Sequence, residues 1–251
     1  MIDLHSHILP GLDDGARTAE ESVDIARAAL EDGITAISAT PHVREDYPTT
    51  PETMELAVAR LRAALADAEV QLTLYTGGEV ALDWLGRLER DDLKRFGLAG
   101  NPGYLLVEFP YFGWPLDLAE QLFKLQLVGI TPVLAHPERN ADVQEAPERL
   151  ERIVETGTLV QLTAASLDGR LGRQPRDTGL KLIELGFAHL IASDAHHPGI
   201  RTVGMAAAAE AVGDETLAGW LTEDVPRAIV EDRRLPERPE YRKRGWRRFG
   251  R

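Results

Sequence analysis

Residues 1–33 read MIDLHSHILPGLDDGARTAEESVDIARAALEDG and form one strand-then-helix unit. Ile2 and Leu4, then His5 and His7, alternate as in a short strand whose end presents two imidazoles, because residues i and i+2 point to the same face. Thr18 to Asp32 is amphipathic; Thr18 followed by Glu21 predicts a capping box, and Gly33 stops the helix. The same succession recurs along the chain. Strand-like runs are ITAISATPH from Ile34, QLTLYTGGEV from Gln71, YLLVEF from Tyr104, TPVLAH from Thr131, LVQLTA from Leu159 and HLIASDAH from His189. Continuous apolar runs between helical stretches indicate strands buried on both faces, as in a parallel sheet covered by helices. Seven such strands without a second domain predict a closed α/β barrel.

With 251 residues, 43% of them hydrophobic, the chain can build one large core. It has no cysteine, which excludes disulfides, thiolate metal sites and a cysteine nucleophile. No apolar run approaches the roughly 18 residues of a membrane span, and the start carries no basic and apolar leader, so a cytoplasmic protein is expected. The net charge of −13 is uneven: Arg233 to Arg251, RRLPERPEYRKRGWRRFGR, carries +7 and leaves −20 on the rest. Such a body repels polyanions, and nucleic acid is not expected as a partner. The expected division is a catalytic domain over residues 1–232 and a basic tail over 233–251. The tail is expected to fold back on acidic surface; the other reading is a peripheral membrane or partner contact helped by Tyr241, Trp246 and Phe249.

His5 and His7, His42, Glu79, Glu108, His136, then Asp194 and His196 fall at the C-terminal ends of successive predicted strands, about 27 to 37 residues apart. That is the rim where barrel folds assemble active sites. Only the LVQLTA strand lacks such a residue. With Asp14 in the first loop, the set is five histidines and four carboxylates. One ion takes roughly four to six ligands, so the set implies two or three ions, and nitrogen and oxygen donors without sulfur suit Mn, Fe, Co or Zn. Asp3 reads either as a carboxylate holding a ligand imidazole or as an ordinary strand residue. Asp13 reads as a turn residue, His189 as structural and His197 as an exposed neighbour.

The stretches MIDLHSHILPGLDDGA, ATPH, GGE, LLVEFP, LAHPER and SDAH resemble the PHP (polymerase and histidinol phosphatase) superfamily. Within it they are similar to the manganese-dependent protein-tyrosine phosphatases of bacterial capsular and exopolysaccharide operons. The resemblance runs from Met1 to about Arg201, and HSHILPGLDDGA with AHPER is specific to that branch. It implies a distorted (β/α)7 TIM-like barrel holding three metal ions, with Mn2+ as cofactor. The implied ligands are His5, His7, Asp14, His42, Glu79, Glu108, His136, Asp194 and His196; Arg139 and Arg201 are the implied phosphate-binding arginines. The chain departs from the pattern at GGEVALD and at EDVPRAIV, where a basic residue after the glutamate and an Asn-Pro dipeptide are usual.

The chemistry is consistent without the resemblance. A metal-bound water whose pKa falls towards neutrality supplies hydroxide, and arginines can clamp the phosphoryl oxygens as charge develops. A phenol, with a pKa near 10, leaves without a dedicated general acid. The expected function is hydrolysis of phosphotyrosine on a protein, a tyrosine kinase of polysaccharide assembly by resemblance. The alternatives are a PHP phosphoesterase for a small monoester such as histidinol phosphate and a non-catalytic metal-binding partner of such a kinase. Tyr47, Tyr111, Phe112 and Trp114 are either the walls of a phenyl-accepting cleft or ordinary rim and core aromatics.

Overall fold

The computed structural model describes residues 1–197 and 202–242. Its strands, in chain order, are β1 (Ile2–Ser6), β2 (Ala36–Ala39), β3 (His42–Arg44), β4 (Tyr47–Pro48), β5 (Thr73–Tyr75), β6 (Glu79–Ala81), β7 (Tyr104–Glu108), β8 (Thr131–Ala135), β9 (Leu159–Thr163) and β10 (Leu190–Ala192). β2 and β3 are two halves of one path, parted at Thr40 and Pro41, and β5 and β6 are likewise parted at Thr76 to Gly78. Proline has no N–H for the ladder. At the second break a Cβ on Gly78 would stand 2.5 Å from the Phe96 ring, so the chain passes there without a side chain.

The paths pair in parallel, β1 with β2 and β2 with β5 in one layer, then β3, β6, β7, β8, β9 and β10 in order in the other. Ser6 bridges Ala195 in parallel and closes the circuit, with His7 N donating to Ala195 O at 2.8 Å and Asp194 N to His5 O at 2.9 Å. The seven predicted strands therefore form a ring, the distorted barrel that was expected. The antiparallel pair of β3 and β4 was not anticipated.

Helices wrap the ring because one stripe of each is apolar. In Pro51–Asp67 the buried Met54, Val58, Leu61 and Leu65 recur at three- and four-residue steps. Thr18 caps Ala19–Glu31 by accepting from Glu21 N, but the Glu21 carboxylate accepts from Arg17 N at 2.8 Å, so half of the predicted box forms. No helix of the described residues is long and apolar enough to cross a membrane.

The first part of the basic tail lies on the body. Trp220 Nε1 donates to Pro236 O at 3.2 Å, Arg238 Nη2 to Ile183 O at 2.7 Å, Tyr241 Oη to Val212 O at 3.1 Å, and Arg242 N to Asp214 Oδ2 at 2.7 Å. Residues 243–251, with Trp246 and Phe249, lie outside the described residues.

Candidate metal centre

All nine candidate ligands converge at one end of the ring, in four overlapping sets whose donor atoms lie within 4.8 Å of one another: His5, His7 and Asp194; His5, Glu79 and His136; His42, Glu79 and Glu108; His7, Asp14, His42 and His196. Eight are buried and Asp14 is exposed. β1 carries His5, with His7 directly after its last residue, and the breaks before β3 and β6 place His42 and Glu79 at the first residues of the second halves. Two donors follow bends of the chain. His136 has φ 38° and Asp194 φ 52°, left-handed values that β-carbon residues seldom adopt and that cluster at functional sites.

The separations fit an ion. Donors about 2.1 Å from one cation lie about 3.0 to 3.4 Å apart in octahedral or tetrahedral geometry. His5 Nε2 and His7 Nε2 are 3.2 Å apart; Glu79 Oε2 lies 3.3 and 3.4 Å from them, and Asp194 Oδ1 lies 3.5 and 3.3 Å away. Two imidazole nitrogens facing each other at that range share a proton or a metal. His42 turns Nδ1 to Glu79 at 3.0 Å and Nε2 to Asp14 at 3.5 Å, while His196 Nε2 reaches Asp14 at 3.3 Å. Glu79 Oε2, His42 Nδ1 and His136 Nδ1 are buried and none makes an aligned hydrogen bond, although the first two lie 3.0 Å apart; this is the condition of atoms shaped for another ligand. Four carboxylates meet two guanidinium groups here, Arg44 on Glu108 at 2.8 Å and Arg139 on Asp194 at 2.6 Å, which leaves negative charge for divalent cations to neutralise.

The local electrostatics agree with that crowding. Burial works to raise the Glu79 carboxyl, yet the His5 and His42 imidazoles and the His136 bond hold it well below its ordinary value. Burial, then the neighbouring Glu79, pushes Glu108 up to about 7. Burial takes His136 down to about 4.

Several supporting residues carry no local signal. Gln161 on β9, the strand without a candidate ligand, meets His5 Nδ1 through Oε1 at 3.0 Å and receives the His136 backbone N–H on its carbonyl at 2.9 Å. A partner on the distal nitrogen fixes which nitrogen a histidine offers a metal. Asp13 is more than a turn residue: Oδ1 accepts from Gly15 N at 2.9 Å, while Oδ2 lies 2.7 Å from His7 Nδ1 and accepts from His42 N at 3.0 Å. Gly15 permits this, since a Cβ there would stand 2.1 Å from the His7 carbonyl oxygen. Asp3 holds backbone, not imidazole, accepting from His5 N at 3.2 Å and Ser193 N at 2.9 Å across the seam of the ring. Glu138 accepts from Thr163 N and Ser166 Oγ and anchors the turn that carries His136 and Arg139.

Two arginines and two tyrosines border the donors. The Tyr47 ring stacks on His42 at 5.8 Å with Arg44 5.1 Å from its centre; the Tyr111 ring stacks on His136 at 5.9 Å with Arg139 4.7 Å from its centre. Tyr111 and Phe112 line a cavity beside Glu108, whereas Tyr47 and Trp114 do not. Trp114 packs edge-on against Phe109. His189 is structural, as expected, accepting from Val160 N, and His197 is exposed. Arg201 lies outside the described residues.

The family model for capsular polysaccharide synthesis, CpsB/CapC, matches residues 1–223. The chain belongs to the CpsB/CapC family. Among its CpsB/CapC relatives, Tyrosine-protein phosphatase YwqE of Bacillus subtilis (strain 168) is 42% identical over 200 residues, 78% of each chain. Putative tyrosine-protein phosphatase CapC of Staphylococcus aureus is 34% identical over 198 residues, 78% of this chain and 77% of that one. A solved structure from work on YwqE of Bacillus subtilis and CpsB of Streptococcus pneumoniae, described as unique metal-dependent tyrosine phosphatases, superposes with a TM-score of 0.88 at 35% identity over 97% of this chain and 100% of that one. The expected family is thus the family found.

Proposed function

We infer that this CpsB/CapC chain is a metal-dependent tyrosine-protein phosphatase. One observation carries that reading: the box of His5, His7, Glu79 and Asp194, with donor separations of 3.2 to 3.5 Å, has an arginine on its edge, and the adjoining donor Glu108 lines an open cavity. We assign the nine donors as ligands of two or three Mn2+ ions, one of the metals that nitrogen and oxygen donors without sulfur accommodate. Bound there, such ions supply Lewis acidity and lower the pKa of water.

The remaining work falls to the chain. Asp194 and the Tyr111 ring hold the Arg139 guanidinium at the rim, where its free N–H groups meet phosphoryl oxygens and stabilise the charge that grows as the P–O bond breaks. We assign Arg201 the same role. Asp13 and Gln161 fix the rings of His7 and His5. The apolar cavity wall receives the phenyl ring, and a phenolate with a pKa near 10 departs without an acid. The substrate is a phosphotyrosine protein in the cytoplasm, a tyrosine kinase of polysaccharide assembly. The phosphatase domain comprises residues 1–232, and the basic tail over 233–251 begins by folding back on that body. The test compares phosphotyrosine peptide with histidinol phosphate, before and after chelation and Mn2+ return. Peptide turnover that is lost and restored is the expected result; full activity in metal-free protein, or preference for histidinol phosphate, overturns the reading.

A further inference from the structure

The cavity beside Glu108 measures about 550 Å³, more than a phenyl ring needs and within the range of pockets that enclose drug-sized ligands. Its walls have two chemistries. Leu82, Tyr111 and Phe112 are apolar, and Phe112 is 83% exposed; Glu45, Asp46 and Asp83 are anionic. Arg44, the one cation among the described lining residues, is already held by Glu108 at 2.8 Å and Asp46 at 2.9 Å. Glu45 and Asp83 form no ion pair with a described residue.

We propose that the acidic part of this cavity, beyond the space a phenyl ring takes, is a subsite for a lysine or arginine side chain lying next to the phosphotyrosine of a protein substrate. The proposal rests on the phosphatase reading above. A long cationic side chain needs an apolar surface for its methylene stem and carboxylates for its head, and this wall supplies the two side by side. An acidic neighbour in the substrate meets uncompensated carboxylates instead, in a body that already carries −20 before its tail. Glu108 belongs both to the cavity lining and to the candidate metal centre, so the cavity adjoins the place where the phosphoryl group would sit.

The test uses the full chain with Mn2+ restored and a peptide series in which Ala, Lys or Glu occupies each position within about three residues of phosphotyrosine. Lys at one position is expected to raise kcat/KM about 5-fold over Ala and Glu to lower it by a similar factor, with both effects shrinking at high salt. Glu45→Gln combined with Asp83→Lys removes or inverts that preference and leaves the rate on the Ala peptide nearly unchanged. Asp24→Lys with Asp67→Lys, on Ala19–Glu31 and Pro51–Asp67 away from the cavity, leaves the preference intact. A gain that is equal at every position, or that the distant reversal abolishes equally, assigns the effect to the overall charge and overturns the subsite. Brisk hydrolysis with no charge preference overturns it while sparing the phosphatase reading; failure on every peptide overturns both.

Discussion

His136 is buried and His189 half-buried, and burial holds each at a pKa of about 4, yet their surroundings differ in other respects. His136 follows β8 at the rim on a left-handed backbone, with Nε2 2.9 Å from Glu79 and Nδ1 buried without a partner. His189 precedes β10 at the opposite end, where Nδ1 accepts from Val160 N at 3.2 Å and the ring packs near Trp220. The second is complete as it stands; the first is not. A perturbed pKa therefore marks burial, and the neighbours decide whether burial serves the fold or the chemistry.

The largest effect that separates the two ends is expected at His136. Loss of a residue that merely supports a ligand costs roughly 10–100-fold, so His136→Gln, which removes a proposed ligand, should cost on the order of 10³-fold in activity and lower the bound metal. Elemental analysis beside kinetics reads both, and a variant that keeps its metal and its rate would place His136 with His189 as structural.

A smaller and cleaner loss is expected one turn along the chain, at Arg139. Arg139→Ala should cut kcat/KM for phosphotyrosine peptide by about 10²-fold, about 2.7 kcal/mol, with metal content unchanged. Arg139→Lys should restore part, because an ammonium lacks the planar fork. Loss of metal in the Ala variant would assign the guanidinium to holding Asp194 instead.

At His189 the expected change in activity is nil, and the effect appears in stability. Its folded pKa of about 4 lies below the unfolded value near 6.5, so in that interval the unfolded chain binds the additional proton. Stability contributed by neutral His189 is whole above about pH 6.5 and falls by about 3 kcal/mol as the pH drops towards 4. His189→Gln should flatten that part of the pH dependence, measured by denaturant unfolding, while leaving turnover per folded molecule unchanged. A loss of turnover would erase the contrast between the two histidines.

Most of the rim was legible because a βα repeat returns each strand end to the same place. His5, His42, Glu79, Glu108, His136 and Asp194 needed only their position in successive units, and the Thr18 cap needed only local spacing. What escaped is what depends on which strands become neighbours. Gln161 lies 156 residues from His5 and Arg44 lies 64 from Glu108, distances over which composition and periodicity carry no signal. Asp13 illustrates both halves: the bond to Gly15 N is local and readable as a turn, whereas the contact with His42 N requires the completed ring.

The seam between β1 and the end of β10 also sets an order of events during synthesis. Asp3 and Ser193, joined across that seam, are 190 residues apart in the chain. At about 5–20 residues per second the ribosome takes on the order of 10–40 s to make the span. For that interval His5 and His7 exist without Asp194 and His196, so the nascent chain offers only a fragment of its donor set. Two of the four donor sets, those with Asp194 or His196, can be complete only once the last strand has been made, so completion of the candidate centre is coupled to closure of the ring.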